Sequence, residues 1–152
     1  MVMSTELIRN GGFESGAFGP GWQQTPGAAV VDSDVTDATR HAGRYCLRLG
    51  STAFVEQSFN PWICRAAGDL TFYVKAAAGS DCGPFSVRIV YTDGTVETCV
   101  VGGLSGEWTQ RRLPLDHTRP LRKIVFNAAD LQTLYIDDVS LLGSKRWGVK
   151  KF

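Results

Sequence analysis

The sequence predicts an all-β chain folded as a two-sheet antiparallel β-sandwich, and three observations carry that expectation. No segment sustains a 3.6-residue hydrophobic period, several short runs alternate with period two, and Gly, Pro, Asn and Asp break the runs apart at short intervals. With 152 residues, 43% hydrophobic and 20% charged, the chain is the size of one ordinary domain and buries about two-thirds of its unfolded surface without staples. No apolar run approaches the roughly 20 residues that span a bilayer.

After an opening strand, Gly16 to Trp22 is a Gly/Pro-rich loop, and Ala28 to Val31 is a short strand. Asp32 to Asp37 reads as a solvated acidic loop, since Thr36 stands where a calcium loop needs a carboxylate. Arg44 to Leu49 alternates strictly, with Tyr45, Leu47 and Leu49 inward. Ala53 to Phe59 sets Phe54, Glu56 and Ser58 against Val55, Gln57 and Phe59, and Asn60-Pro61-Trp62 ends it. Leu70 to Lys75 is the next strand. In Phe85 to Val101, Asp93-Gly94 predicts a two-residue hairpin turn. That turn opposes Tyr91 to Val96, Ile89 to Thr98 and Val87 to Val100 on the core face, and puts Cys99 and Glu97 on the other. Trp108 to Leu113 and Arg122 to Phe126 follow, with Pro114 and Pro120 keeping their connection irregular. About nine to eleven short strands make a jelly roll the expected form. The sandwich is expected over residues 1–143, and residues 144–152 form a basic tail.

The last strand, Thr133 to Leu142, carries an anomaly. Continuous alternation puts Asp137 on one face with Tyr135, Val139 and Leu141, and a buried carboxylate needs a partner. Glu14, at the other end of the chain, could share a cation with it if the first and last strands meet. The alternatives are that Asp137 caps backbone amides or pairs with an arginine such as Arg44.

Charge is unevenly spread: residues 1–110 hold 7 basic and 11 acidic side chains, residues 111–152 hold 9 and 4, so −4 stands against +5. Two solvated faces account for this, or a basic C-terminal foot that docks on an acidic partner. Cys46, Cys64, Cys82 and Cys99 lack a C-x-x-C pair, which argues against zinc. The N-terminus has neither a basic nor an apolar leader region, so no secretory signal is expected and free thiols are favoured. No catalytic set stands out. His41 and His117 are the only histidines, Asp116 beside His117 lacks a nucleophile elbow, and a glycosidase pair would have to come from among Glu6, Glu14, Glu56, Glu97 and Glu107, such as Glu56 with Glu97. The expectation is a non-enzyme.

The order N-G-G-F-E (10–14), G-W (21–22), H-A-G-R-Y-C-L-R-L (41–49), L-T-F-Y-V-K-A (70–76), V-R-I-V-Y-T-D-G-T (87–95), W-x-x-x-x-L (108–113) and Y-I-D-D-V-S-L (135–141) resembles carbohydrate-binding modules of the family four, nine and twenty-two type. These are galactose-binding-like jelly rolls, and the resemblance covers residues 6–142. It implies one structural calcium held by Glu14 and Asp137, with backbone carbonyls near Gly43 and Arg44. Sugars pack on rings and hydrogen-bond to polar neighbours. With Trp22 and Trp108 read as structural, the expected ligand contacts are Trp62 and Tyr73, with Gln57 and Arg88 beside them.

Such modules usually accompany secreted enzymes, and none is evident here. The first expectation is therefore a structural or attachment protein of a larger assembly, most simply a capsid-decoration or tail part of a phage virion, released from the cytoplasm onto a particle surface. Its partners would be other protein subunits of the particle, with oligomers allowed and neither nucleic acid nor membrane expected. Lys145, Arg146, Trp147, Lys150, Lys151 and Phe152 would dock it, by charge and aromatic anchors. The alternative is a stand-alone carbohydrate-binding module recognising a polysaccharide.

Overall fold

The computed structural model describes residues 4–25, 32–60 and 62–147. Among them there is no helix, and thirteen strands form two antiparallel sheets. The larger sheet orders β1 (Thr5–Glu6), β13 (Leu142–Trp147), β6 (Trp62–Ala66), β11 (Leu121–Asn127), β5 (Phe54–Ser58) and β2 (Trp22–Gln24). On it, β8 (Phe85–Tyr91) pairs with β11, and β9 (Val96–Val101) pairs with β8. The smaller sheet orders β10 (Thr109–Leu113), β7 (Leu70–Ala76), β12 (Leu134–Ser140), β4 (Cys46–Leu49) and β3 (Ser33–Thr36). The expected all-β sandwich is the observed one.

The core lies where the two inner faces meet. Phe72 of the smaller sheet sits edge-on to Phe126 (centroids 5.4 Å apart) and Phe85 (6.1 Å) of the larger. Trp22 packs on Phe13 at 5.3 Å and Phe126 at 5.8 Å, and its indole N–H donates to the Asn10 carbonyl at 2.9 Å. Each such ring buried contributes roughly 1.5–3 kcal/mol, so Trp22 is structural, as its sequence position implies.

Several elements depart from the sequence expectation. The acidic stretch is not a loop: Ser33–Thr36 is an edge strand, because Asp34 lies opposite Arg48, whose guanidinium donates to Asp34 (2.6 Å) and Asp32 (2.8 Å). Trp62–Ala66, expected as loop, is a strand paired with β13. β13 itself runs to Trp147, so residues 144–147 belong to the sheet and the boundary at 143 falls inside a strand. The Ala28 to Val31 strand, the Trp147 side chain, Lys150, Lys151 and Phe152 lie outside the described residues.

The hairpin is one residue out of the expected register. Tyr91 accepts from the Gly94 amide (3.1 Å) and donates to the Thr95 carbonyl (2.9 Å), and Gly94 has φ +88°, so the turn is longer on its second arm. Val90 then pairs with Val96, Arg88 with Thr98 and Ser86 with Val100. A one-residue slip reverses the second strand: Glu97 and Cys99 turn inward, and Val96 and Val100 become the exposed pair. Val87, Ile89 and Tyr91 keep their places in the core.

Alternation also fails at Asp138, whose φ of +50° accompanies a register shift between Asp137 and Ser140. Ile136 faces the core opposite Leu47 and Val74, so Tyr135 and Asp137 take the outer phase, and the shift returns Val139 and Leu141 to the inside. Asp137 is thus on the outer face of the smaller sheet, and it is buried there because residues 37–45 fold over it.

Candidate functional site

Register alone builds the outer face of the larger sheet, since paired residues share a face. Three rows cross it. Ser58, Lys123, Val90 and Val96 form the first; Gln23, Glu56, Val125, Arg88 and Thr98 the second; Phe54, Asn127, Ser86 and Val100 the third. With strands about 4.8 Å apart, the middle row spans about 19 Å. Within these rows Glu56 and Val125 are buried, while Gln23, Arg88, Val96, Thr98 and Val100 are exposed.

Glu56 sits in the middle row, almost wholly buried at 3% exposure. Its Oε2 accepts from the Ser58 hydroxyl at 3.3 Å, and Lys123 stands 3.5 Å from Oε1 as an ion pair. Oε1 itself receives no hydrogen bond among the described residues. The Arg88 guanidinium lies 5.7 Å from the centroid of the Phe54 ring and its side chain is exposed. A bulge between Leu121 and Lys123 leaves Leu121 and Ile124 buried and turns both intervening residues, Arg122 and Lys123, outward.

At the end of β5 this face opens into a cleft of about 660 Å³ lined by Ser58, Phe59, Asn60, Trp62, Leu121 and Arg122, with Gln23 and Thr92 at its sides. Trp62 is half-buried, and the Lys145 ammonium stands 5.2 Å from its ring centroid.

The four expected ligand contacts do not come together. Trp62 and Arg88 serve the larger sheet. Tyr73 is on the smaller sheet and is covered by His41, whose ring stacks on it at 3.6 Å. Gln57 is fully buried, donating to the Arg9 carbonyl (3.0 Å) and accepting from the Arg9 amide (2.8 Å), so it ties the N-terminal segment to β5 and meets no ligand. The sequence shows only that Gln57 alternates with Val55 and Phe59 against Phe54, Glu56 and Ser58; the burial of Val55 and Phe59 assigns the faces.

The expected metal residues do meet, around residues 41–45. Glu14 accepts from the Arg44 amide (2.6 Å) and the Tyr45 amide (2.9 Å). Asp137 accepts from His41 (3.1 Å), Ala42 (3.3 Å) and Asp138 (2.8 Å). Gly43, at φ +68°, packs its Cα against Glu14 so closely that a Cβ would sit 2.3 Å from Oε1. Both carboxylates are thus engaged by backbone N–H groups, and among the described residues no three His, Cys, Asp or Glu converge. What these contacts match is the alternative in which Asp137 caps amides. Burial pushes the Asp137 carboxyl up to about 6, against the opposing pull of its three amide donors.

Around the same loop, His41 Nδ1 is 2.6 Å from Asp138, His41 lies edge-on to Trp108 at 5.9 Å, and Lys75 stands over both Trp108 (5.3 Å) and Tyr135 (5.6 Å). Trp108 is therefore on the outer face, bound into this stack. Glu56 and Glu97 are on opposite faces of the larger sheet, three strands apart, and Glu97 accepts from the Tyr91 hydroxyl at 3.2 Å. They form no glycosidase pair. Asp116 is turned to Thr118 and Arg119, away from any relay with His117. All four cysteines are free, and Cys46, Cys64 and Cys99 are pushed upward in pKa by burial.

No protein-family model and no curated protein matches the sequence. Solved structures do. The xylan-binding family 22 module from Paenibacillus barcinonensis Xyn10C aligns at TM-score 0.65 and 17% identity over 99% of each chain. The family 61 module solved with β-1,4-galactotriose aligns at TM-score 0.58 and 21% identity, over 93% of this chain and all of that one. The fold is that of the carbohydrate-binding modules. The enzymatically active domain of bacteriophage CBA120 tailspike protein 4 aligns at TM-score 0.62 and 14% identity, over 91% of this chain but 21% of that one. At these identities the likeness is one of fold, the galactose-binding-like jelly roll.

Proposed function

We propose that the protein is a carbohydrate-binding module that takes a glycan on the outer face of the larger sheet. The observation that carries this is the face itself: an exposed Arg88 guanidinium beside a half-buried Phe54 ring, in rows of polar side chains that lead into the Trp62 cleft. Sugar hydroxyls supply donors and sugar C–H faces pack on rings. The two modules whose descriptions mention xylan and galactotriose support the class of ligand. Retardation of the protein in native gels containing polysaccharide tests it: retardation lost on Arg88→Ala and on Phe54→Ala supports the face, and mobility unchanged by every polysaccharide tried removes it.

A second reading, a virion part, draws on the tailspike likeness and on Lys145 and Arg146, which are exposed on β13 as members of the sheet and not of a free tail. Co-sedimentation with purified phage particles, reduced by charge reversal at both residues, is what it requires. Residence on a released particle belongs to this reading. Calcium at Glu14 and Asp137 is likewise a proposal, and it requires residues 41–45 to exchange amides for carbonyls around the ion. A melting temperature raised by calcium and lowered by chelator is its test.

A further inference from the structure

We propose that the glycan taken by this face is acidic, a polymer bearing carboxylate or sulfate groups; this rests on the reading that the face binds glycan at all. The first reason is what covers the rings. A neutral sugar stacks on an open aromatic face, but here Phe54, the ring on the face, meets the Arg88 cation first, and at the cleft the Trp62 ring, packed against the core, meets Lys145. Each such contact is worth about 0.5–1 kcal/mol at an exposed site, and a neutral ligand would have to displace it. An anionic ligand keeps it, since the cation then bridges ring and ligand.

Charge on the face is the second reason. Arg88 and Arg122 are exposed there and, among the described residues, neither has an acidic partner. Elsewhere arginines do meet acids: Arg48 pairs with Asp32 and Asp34, and Arg119 with Asp93 and Asp116. The one carboxylate in the three rows, Glu56, is already paired with Lys123. The bulge in β11 adds Arg122 directly beside Lys123, and Lys123 stands one row and one strand from Arg88, about 8 Å along the diagonal. Cations repeated at that interval suit a repeating anionic polymer better than a single anion.

The rings decide between polyanions: capped by Arg88 and Lys145, they leave no open platform for bases to stack on.

The full chain is tested by titration calorimetry against polygalacturonate and dextran sulfate, neutral xylan and galactan, and single-stranded DNA. Measurements are made at low salt and at about 1 M, where screening acts within about 3 Å. The expected result is at least one acidic glycan bound about tenfold or more tighter than either neutral one, weakened by salt, and weakened severalfold by Arg88→Ala and by Arg122→Ala at unchanged melting temperature. Equal affinity for neutral glycans overturns the acidity and leaves the glycan reading standing. No binding to any glycan overturns both. Binding of DNA as tight as the best glycan overturns it as unspecific attraction to polyanions.

Discussion

The two outer faces of the sandwich use the same kinds of residue to opposite ends. On the smaller sheet every charge near the centre is answered from within: Arg48 by Asp32 and Asp34, Asp137 by three amides, His41 by Asp138. Its rings are occupied by one another and by Lys75, and residues 37–45 close over Asp137 and Cys46, whose thiol donates to the Thr39 carbonyl. On the larger sheet, Arg88 and Arg122 are exposed and, among the described residues, have no acidic partner. A face that satisfies itself is scaffold; one that does not is where a ligand is worth seeking.

The sharpest way to break this contrast is to open the satisfied face. Asp137→Ala leaves three backbone donors without an acceptor, at about 1–3 kcal/mol for each donor that water does not reach. A loss on the order of 3 kcal/mol in urea unfolding is expected; a loss below about 0.5 kcal/mol, the range of a surface change, would mean the loop is not held there. Next comes pH. Burial raises the Asp137 carboxyl to about 6 in the folded protein, so the native state holds its proton more tightly than the unfolded chain does. Its contribution is fully present below the unfolded value of about 3.9 and disappears as pH rises through about 6, roughly 2–3 kcal/mol in all. Comparing the unfolding free energy between pH 4.5 and 7.5 in wild type and Asp137→Asn isolates this, with a flatter profile expected in the variant.

Glu14→Ala frees two less buried amides and should cost about 1–2 kcal/mol. If amides are all that Glu14 serves, the cost is equal in calcium and in chelator, and a calcium-dependent share would restore the ion. The smallest effect belongs to the open face. Arg88→Ala should move stability by no more than about 0.5 kcal/mol, whatever it does to binding, and a larger loss would make that residue part of the scaffold.

Much of the architecture was legible. The core phase of β8 follows from alternation, and so did the outward turn of Arg88, while the two faces of β5 could be separated but not assigned. What escaped has physical reasons. Asp138 in a left-handed conformation shifts the phase of β12, which no apolar/polar count reveals. The Asp93-Gly94 turn admits more than one hairpin length, and the choice decides which side of β9 is wet. β6 and β13 are strands because they pair with each other, Trp62 with Trp147 in backbone register, and neither alternates cleanly enough to be seen alone. Glu56 and Lys123 meet across two strands, so their pairing was beyond any one-strand reading.

The tie between residues 41–42 and Asp137 closes over 95 or more positions of sequence, and the Leu7 amide reaches the Leu141 carbonyl across still more. Chain order therefore works against quick assembly. Neither the smaller sheet's cover nor the seam between first and last strands is available until β12 has arrived, and loop closure over such spans must precede any gain from the contacts. Refolding in the millisecond-to-second range of non-local β topologies is the expected tempo, with the loop over Asp137 among the last parts to gain protection from hydrogen exchange.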